Sequence, residues 1–253
     1  MTVDGSDVDF YFDRFLECFH PFVPILRRKD PDECYDACPT LFWVIIYIAC
    51  RRYGRDEDLF TNLTDTLSRD IWTLLSTPIM SLEETHALLL MCAYPLPAIR
   101  FVTDPSTTFA GIAMNICMLL GLHTGKGAHQ EFCIGSRQHI TCTDEEASST
   151  WFLACILAQR SASSIGHPPP SIQLSDAAPR RALSSDAGWA DLLAMFDIQK
   201  YLNRMHTAMA AHISGSGGSV AEGIVTGWED EFETLRPVLS RHDSGAYMFP
   251  FLL

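Results

Sequence analysis

Basic residues are scarce in this 253-residue chain: 18 Lys and Arg stand against 31 Asp and Glu, for a formal charge of −13. That sign repels phosphate and anionic lipid at long range, so direct DNA binding and a membrane-surface partner are not expected. The basic clusters Arg27-Arg28-Lys29, Arg51-Arg52 and Arg180-Arg181 are too short for a nucleic-acid stripe and read as solvated faces. Long apolar runs are lacking too. The longest, Leu41 to Cys50, falls well short of the roughly 20 residues that cross a bilayer and reads as a buried core helix. No basic residue precedes the first apolar stretch in MTVDGSDVDF, which argues against a secretory signal or mitochondrial presequence and reads as the start of the mature protein. A disulfide framework is missing. Nine cysteines, an odd number without regular spacing, suit a reducing intracellular compartment where thiols pack as small hydrophobes, and the sequon Asn62-Leu63-Thr64 is then coincidental.

Catalytic and metal patterns are equally thin. There is no Gly-x-Ser-x-Gly elbow, and TGKGAH (124–129) lacks the full phosphate-loop pattern and follows a helix instead of a strand. Cys34-x3-Cys38 has no companion pair, and the spacing of His129, Cys133, His139 and Cys142 matches no standard finger, so these four read as loop residues and no metal or cofactor is expected. Cys50, Cys92, Cys117 and Cys155 fall on apolar faces, where burial raises a thiol's pKa and blunts its reactivity. The acidic run from Trp228 to Glu233 sets carboxylates beside Trp228 and Phe232, the pattern of a solvated amphipathic helix.

Strand and hairpin signals are absent; helical periodicity is what remains. From Asp104, Pro105 suits the first helical position, apolar residues recur at three and four from Phe109 to Leu120, and Gly121 suits the stop. Thr143 with Glu146 forms a capping box for a helix that runs to Gly166, before Pro168-Pro169-Pro170. The same logic predicts helices near 8–19, 39–53, 56–76 and 82–94 (with a Ser81–Glu84 box), and near 186–213 and 227–241, the last ended or kinked by Pro237. SGSGGS, 214–219, reads as a flexible linker between helices, and the apolar ending YMFPFLL as a helix cut short. The fold class is all-α: an irregular bundle of about eight or more helices forming one domain over 1–253.

Such a bundle, rich in aromatics, Met and Cys, can hold a small apolar or anionic metabolite. The polar groups set in apolar segments are His20, His86, Tyr94, His123, Gln159, Arg160 and His167. Arg160 leads these ligand-binding candidates, because a guanidinium within a helix of small residues can grip a carboxylate bidentately.

Three blocks resemble the middle homology region of fungal zinc-cluster transcription factors, closest to regulators of leucine biosynthesis and weak-acid resistance. The first is FYFDRFLECFHPFVPIL followed by PTLFWVIIYIACRRY; the second is SLEETHALLLMCAYPLP through DPSTTFAGIAMNICMLLGLHT; the third is TDEEASSTWFLACILAQRSASSIGHPPP. Gly166-His167-Pro168 departs from the family, which more often carries Arg between that Gly and Pro. The resemblance implies an all-α regulatory domain whose six-cysteine DNA-binding cluster is not in this sequence. It implies a transcription-regulating module, in nucleus or cytoplasm, that senses a small molecule or contacts other transcription regulators or a second copy of itself. The competing expectation is a repurposed, cofactor-free cyclase, pericyclase or isomerase of fungal secondary metabolism, using the helical cavity to fold a hydrophobic substrate.

Overall fold

The structure is a computed structural model that describes residues 3–77, 79, 81–97, 104–127, 142–167, 175–215 and 222–241. Ten α-helices and no strand occur among these residues: α1 Gly5–Cys18, α2 Pro31–Ala37, α3 Pro39–Tyr53, α4 Leu59–Leu75, α5 Leu82–Ala93, α6 Ser106–Leu119, α7 Asp144–Ser164, α8 Ala177–Leu183, α9 Ala190–Gly215 and α10 Glu222–Arg241. The all-α expectation holds. No helix among the described residues is long and apolar enough to cross a membrane.

Three helices carry the core. α3 buries Leu41, Phe42 and every residue from Val44 to Cys50, and α5 buries every residue from Leu82 to Ala93 except Glu84. In α7 every residue from Ala147 to Gln159 is buried. α5 joins two halves: it packs on α3, which is flanked by α1, α2 and α4, and on α6 and α7, with α8 and α9 beyond α7. Aromatic pairs tie the outer helices down, with Phe12 5.4 Å from Phe42, Tyr47 stacked on Phe60 at 5.5 Å, and Phe152 stacked on Phe196 at 4.2 Å.

Both capping boxes form. Glu146 N–H donates to the Thr143 hydroxyl at 3.1 Å while Thr143 N–H donates to the Glu146 carboxylate at 2.8 Å; the Ser81–Glu84 box closes at 3.1 and 3.3 Å. Gly121, with φ 75°, ends the turn after α6 as expected, but Pro105 stands one place earlier than predicted, as the residue before α6. α7 stops in a Schellman turn: Gly166 takes φ 73°, its N–H donates to Ser163 at 3.2 Å, and His167 N–H donates to Ala162 at 2.9 Å.

Two short helices were not expected. α2 begins on Asp30, whose carboxylate accepts from the N–H groups of Asp32 and Glu33 at 3.1 Å, with Pro31 in the first turn. α8 packs on Gly125, where φ is 71° and an added Cβ would meet Pro179 N at 2.6 Å, so glycine is required there on two counts. α10 starts five residues before its predicted boundary and ends at Arg241, the predicted C-terminal bound, with Pro237 inside it. Ser214 and Gly215 belong to the end of α9; residues 216–219 of the expected linker, Pro168–Pro170 and the YMFPFLL ending lie outside the described residues.

Replacing Ile45, fully buried in α3, by Ala should cost about 2–5 kcal/mol of stability in urea unfolding. Thr143→Ala, which removes one cap and leaves the core intact, should cost about 1 kcal/mol, well below the Ile45 figure.

Candidate functional site

The polar groups inside the bundle gather where α5 faces α7. His86 is 1% exposed, and its Nε2 shares a hydrogen bond of 2.9 Å with the Thr150 hydroxyl; its Nδ1 has no hydrogen-bond partner. Burial holds the imidazole neutral, pushing its pKa down to about 3, with the positive charge of Arg27 and the neighbouring His20 adding to the shift. His20 opens the 3₁₀ turn His20–Phe22, its ring edge-on to Phe15 at 6.3 Å. Its Nε2 is also buried without a hydrogen-bond partner, and burial, helped by Lys29, brings its pKa down to about 4. Two imidazoles near enough to influence each other electrostatically are thus held neutral by burial, His86 between α5 and α7 and His20 in the turn after α1.

Ion pairs close the rim of this region. Arg27 pairs with Glu146 at 3.2 Å, and Arg28 with Glu83 at 3.4 Å, where the Glu83 side chain is 11% exposed. The segment 27–28 is thus a strap over the N-terminal ends of α5 and α7, its two arginines keeping solvent access while each pairs with a carboxylate. Burial of the carboxylates is the physical reason: a charge leaving water needs a partner of opposite sign.

The remaining candidates are dispersed. Tyr94, at the end of α5, donates from its hydroxyl to Phe19 O at 3.2 Å and meets the Phe19 ring edge-on at 5.5 Å; burial raises its phenol pKa. It straps α5 to the end of α1. His123 lies in the 3₁₀ turn Leu122–Thr124, its ring 6.0 Å from Trp151 on the residue next to Thr150. Gln159 and Arg160 follow nine and ten residues after Thr150 on α7, about 14–15 Å along the helix at its usual rise. Gln159 is 4% exposed, with its side-chain oxygen lacking a hydrogen-bond partner, and the half-buried Arg160 is pushed down to about 10 by burial, which leaves it cationic near neutral pH. His167 is exposed beyond the end of α7 and serves through its backbone. The seven residues do not form one site.

Sequence reasoning missed Thr150, Glu146 as an ion-pair partner, and Glu83. The available signal was a hydroxyl three residues into the buried run of α7, and acids one turn or less from each capping box. Burial raises Cys34, Cys50 and Cys117 to about 12 and Cys142 to about 11, and drives Cys92 and Cys155 upward as well, which blunts these six thiols as nucleophiles. Cys38 instead caps α3, its sulfur accepting from Leu41 N–H at 3.4 Å. No cluster of three or more His, Cys, Asp or Glu arranged for a metal occurs among the described residues; of the His129–Cys142 group only Cys142 is among them.

Residues 9–180 match the model of the fungal specific transcription factor domain. The transcriptional regulatory protein SEF1 of Candida albicans is 29% identical over 171 residues, 65% of this chain and 18% of that protein. The protein named SEF1 in Kluyveromyces lactis is 30% identical over 163 residues, 62% of this chain and 14% of its own length, and that of Saccharomyces cerevisiae 28% over 116 residues, 44% and 10%. The chain therefore spans less than a fifth of the length of these relatives, whose names are not those of the leucine-biosynthesis and weak-acid-resistance regulators. No solved structure matches.

A buried neutral histidine makes stability depend on pH with a definite sign. Below about pH 6.5 the unfolded chain protonates His20 and His86 while the folded chain does not, so stability should fall as pH drops from 6.5 toward 4. Urea unfolding at pH 7 and pH 5 should show this loss, and the variant His20→Asn/His86→Gln, though less stable at pH 7, should show a smaller one.

Proposed function

We propose a transcription-regulating role from a secure premise: the chain belongs to the family of the fungal specific transcription factor domain, which its residues 9–180 match. That match, together with the similarity to the C. albicans transcriptional regulatory protein, is the observation that carries the reading. In it the helical bundle is a control module, acting in the nucleus with other transcription regulators. The formal charge of −13 supports DNA contact being made by something other than this surface.

Small-molecule sensing is the finer part of the proposal. Gln159 offers a buried acceptor with no hydrogen-bond partner, and the adjacent Arg160 a partly desolvated cation on the same helix. A small organic acid that also carries a hydroxyl or amino donor matches both, because its carboxylate can face the guanidinium while its donor satisfies the amide oxygen. Binding there would bias the C-terminal part of α7 against α9, which pack together.

The regulatory reading is tested by fusing the chain to an unrelated DNA-binding domain and measuring a reporter carrying that domain's site. Reporter output should change several-fold relative to the DNA-binding domain alone; unchanged output from a well-expressed fusion would refute it. For the ligand, a panel of hydroxy and amino carboxylates should include members that raise the melting temperature of the chain and lose that effect in Arg160→Met. Equal shifts in the two proteins would contradict the site.

A further inference from the structure

Ser184 follows α8 in a charge pattern that a protein kinase reads. Arg180 and Arg181 stand four and three positions ahead of its hydroxyl. Basophilic Ser/Thr kinases select substrates by such charges, because acids lining the kinase cleft pair with arginines a few residues N-terminal to the acceptor. Among the described residues two other acceptors follow an arginine by three positions, Ser163 and Thr207.

Their surroundings separate the three. Ser163 lies in α7 behind the half-buried Arg160, and its hydroxyl donates to Gln159 O at 3.0 Å. Thr207 stands inside the 26-residue α9, behind Arg204, which already bridges to Glu231. Ser184 is exposed, opens an exposed run from 184 to 188 between α8 and α9, and follows an exposed Arg181 that enters no ion pair among the described residues. Delivering it to a cleft means opening the last turn of a seven-residue helix, and Leu183 is the only buried residue from 181 to 185. A helix so short holds poorly by itself, so this opening costs less than breaking the middle of α7 or α9.

Beside Ser184 is the network that ties α8 to α9. Arg180 reaches both carboxylate oxygens of Asp197, at 2.6 and 3.2 Å, and Asp176 at 3.5 Å, while Lys200 of α9 pairs with Asp176 at 2.8 Å. Both cations also approach the ring of Phe196, which stacks on Phe152 of α7. The Ser184 hydroxyl donates to Arg180 O at 2.6 Å.

We infer that Ser184 is a phosphorylation site, modified by a separate basophilic Ser/Thr kinase with ATP, and that its phosphate loosens α8 from α9. In the transfer a base of the kinase takes the hydroxyl proton, Oγ bonds to the γ-phosphorus of ATP, the bond from that phosphorus to the β–γ bridging oxygen breaks, and ADP leaves. The product carries a charge of about −2 near neutral pH. Its Oγ has no proton to donate to Arg180 O. The new charge sits at the negative end of α8 and two residues from Asp186, and Arg180, one turn back, is drawn from Asp197 toward it.

The whole chain, incubated with ATP and a calmodulin-dependent Ser/Thr kinase that reads arginine three positions before the acceptor, should gain one phosphate, located on Ser184 by fragment mass spectrometry. Ser184→Ala changes an exposed side chain, so it should keep the helical circular dichroism and lose that phosphate. Arg181→Gln should lower kcat/KM for the transfer several-fold. In the modified chain amide hydrogen exchange across α8 should be several-fold faster, with that of α3 unchanged. No incorporation, incorporation on other residues, or undiminished incorporation in Ser184→Ala would overturn the site. A chain phosphorylated on Ser184 whose α8 exchanges at the unmodified rate would overturn the loosening.

Discussion

The fold depends on the burial of α5, in which only Glu84 keeps partial access to solvent. A helix so nearly enclosed must either be apolar throughout or bring partners inside for each polar group it buries. α5 does the second. Thr85 turns its hydroxyl back to Ser81 O at 2.9 Å, Glu83 meets Arg28, and His86 is held neutral against Thr150. These contacts reach the strap at 27–28 and α7, so the polar content of one helix fixes the relation of the two halves of the domain.

This arrangement also separates structural roles from functional ones. His86, Tyr94 and the first-turn acids have architectural duties that account for their presence. Gln159, some four turns from the N-terminus of α7, has a side-chain oxygen that the α5 contacts do not account for. A buried acceptor without a hydrogen-bond partner carries a desolvation cost of about 1–3 kcal/mol, which a ligand or ordered water can relieve. The ligand reading of this end of the helix rests on that imbalance and not on any resemblance.

Helices were legible where periodicity coincided with a chemical terminus. Thr143 with Glu146, Ser81 with Glu84 and Gly121 each mark a boundary that the structure keeps to within a residue or two. α2 and α8 were missed because seven residues provide too few turns for a periodic signal, although Asp30-Pro31 contained the cap of α2. Pro237 lies inside α10, which still reaches Arg241 as the periodicity predicts, because a proline near a helix end removes one hydrogen bond without stopping the chain from following the last turn. The candidate site was less legible: sequence identifies polar residues in apolar surroundings, but not which of them find partners across the bundle. Arg27 and Arg28 illustrate the limit, since nothing in a run of three basic residues announces Glu146 and Glu83 as their partners.

Membership of the fungal specific transcription factor domain family points to control of transcription. The most direct measurement is a transcript profile of cells from which the gene encoding this chain has been deleted, compared with the same cells complemented by it. The account predicts a defined set of transcripts that shifts on deletion and returns on complementation. An unchanged profile accompanied by accumulation of an uncyclised metabolite would contradict it.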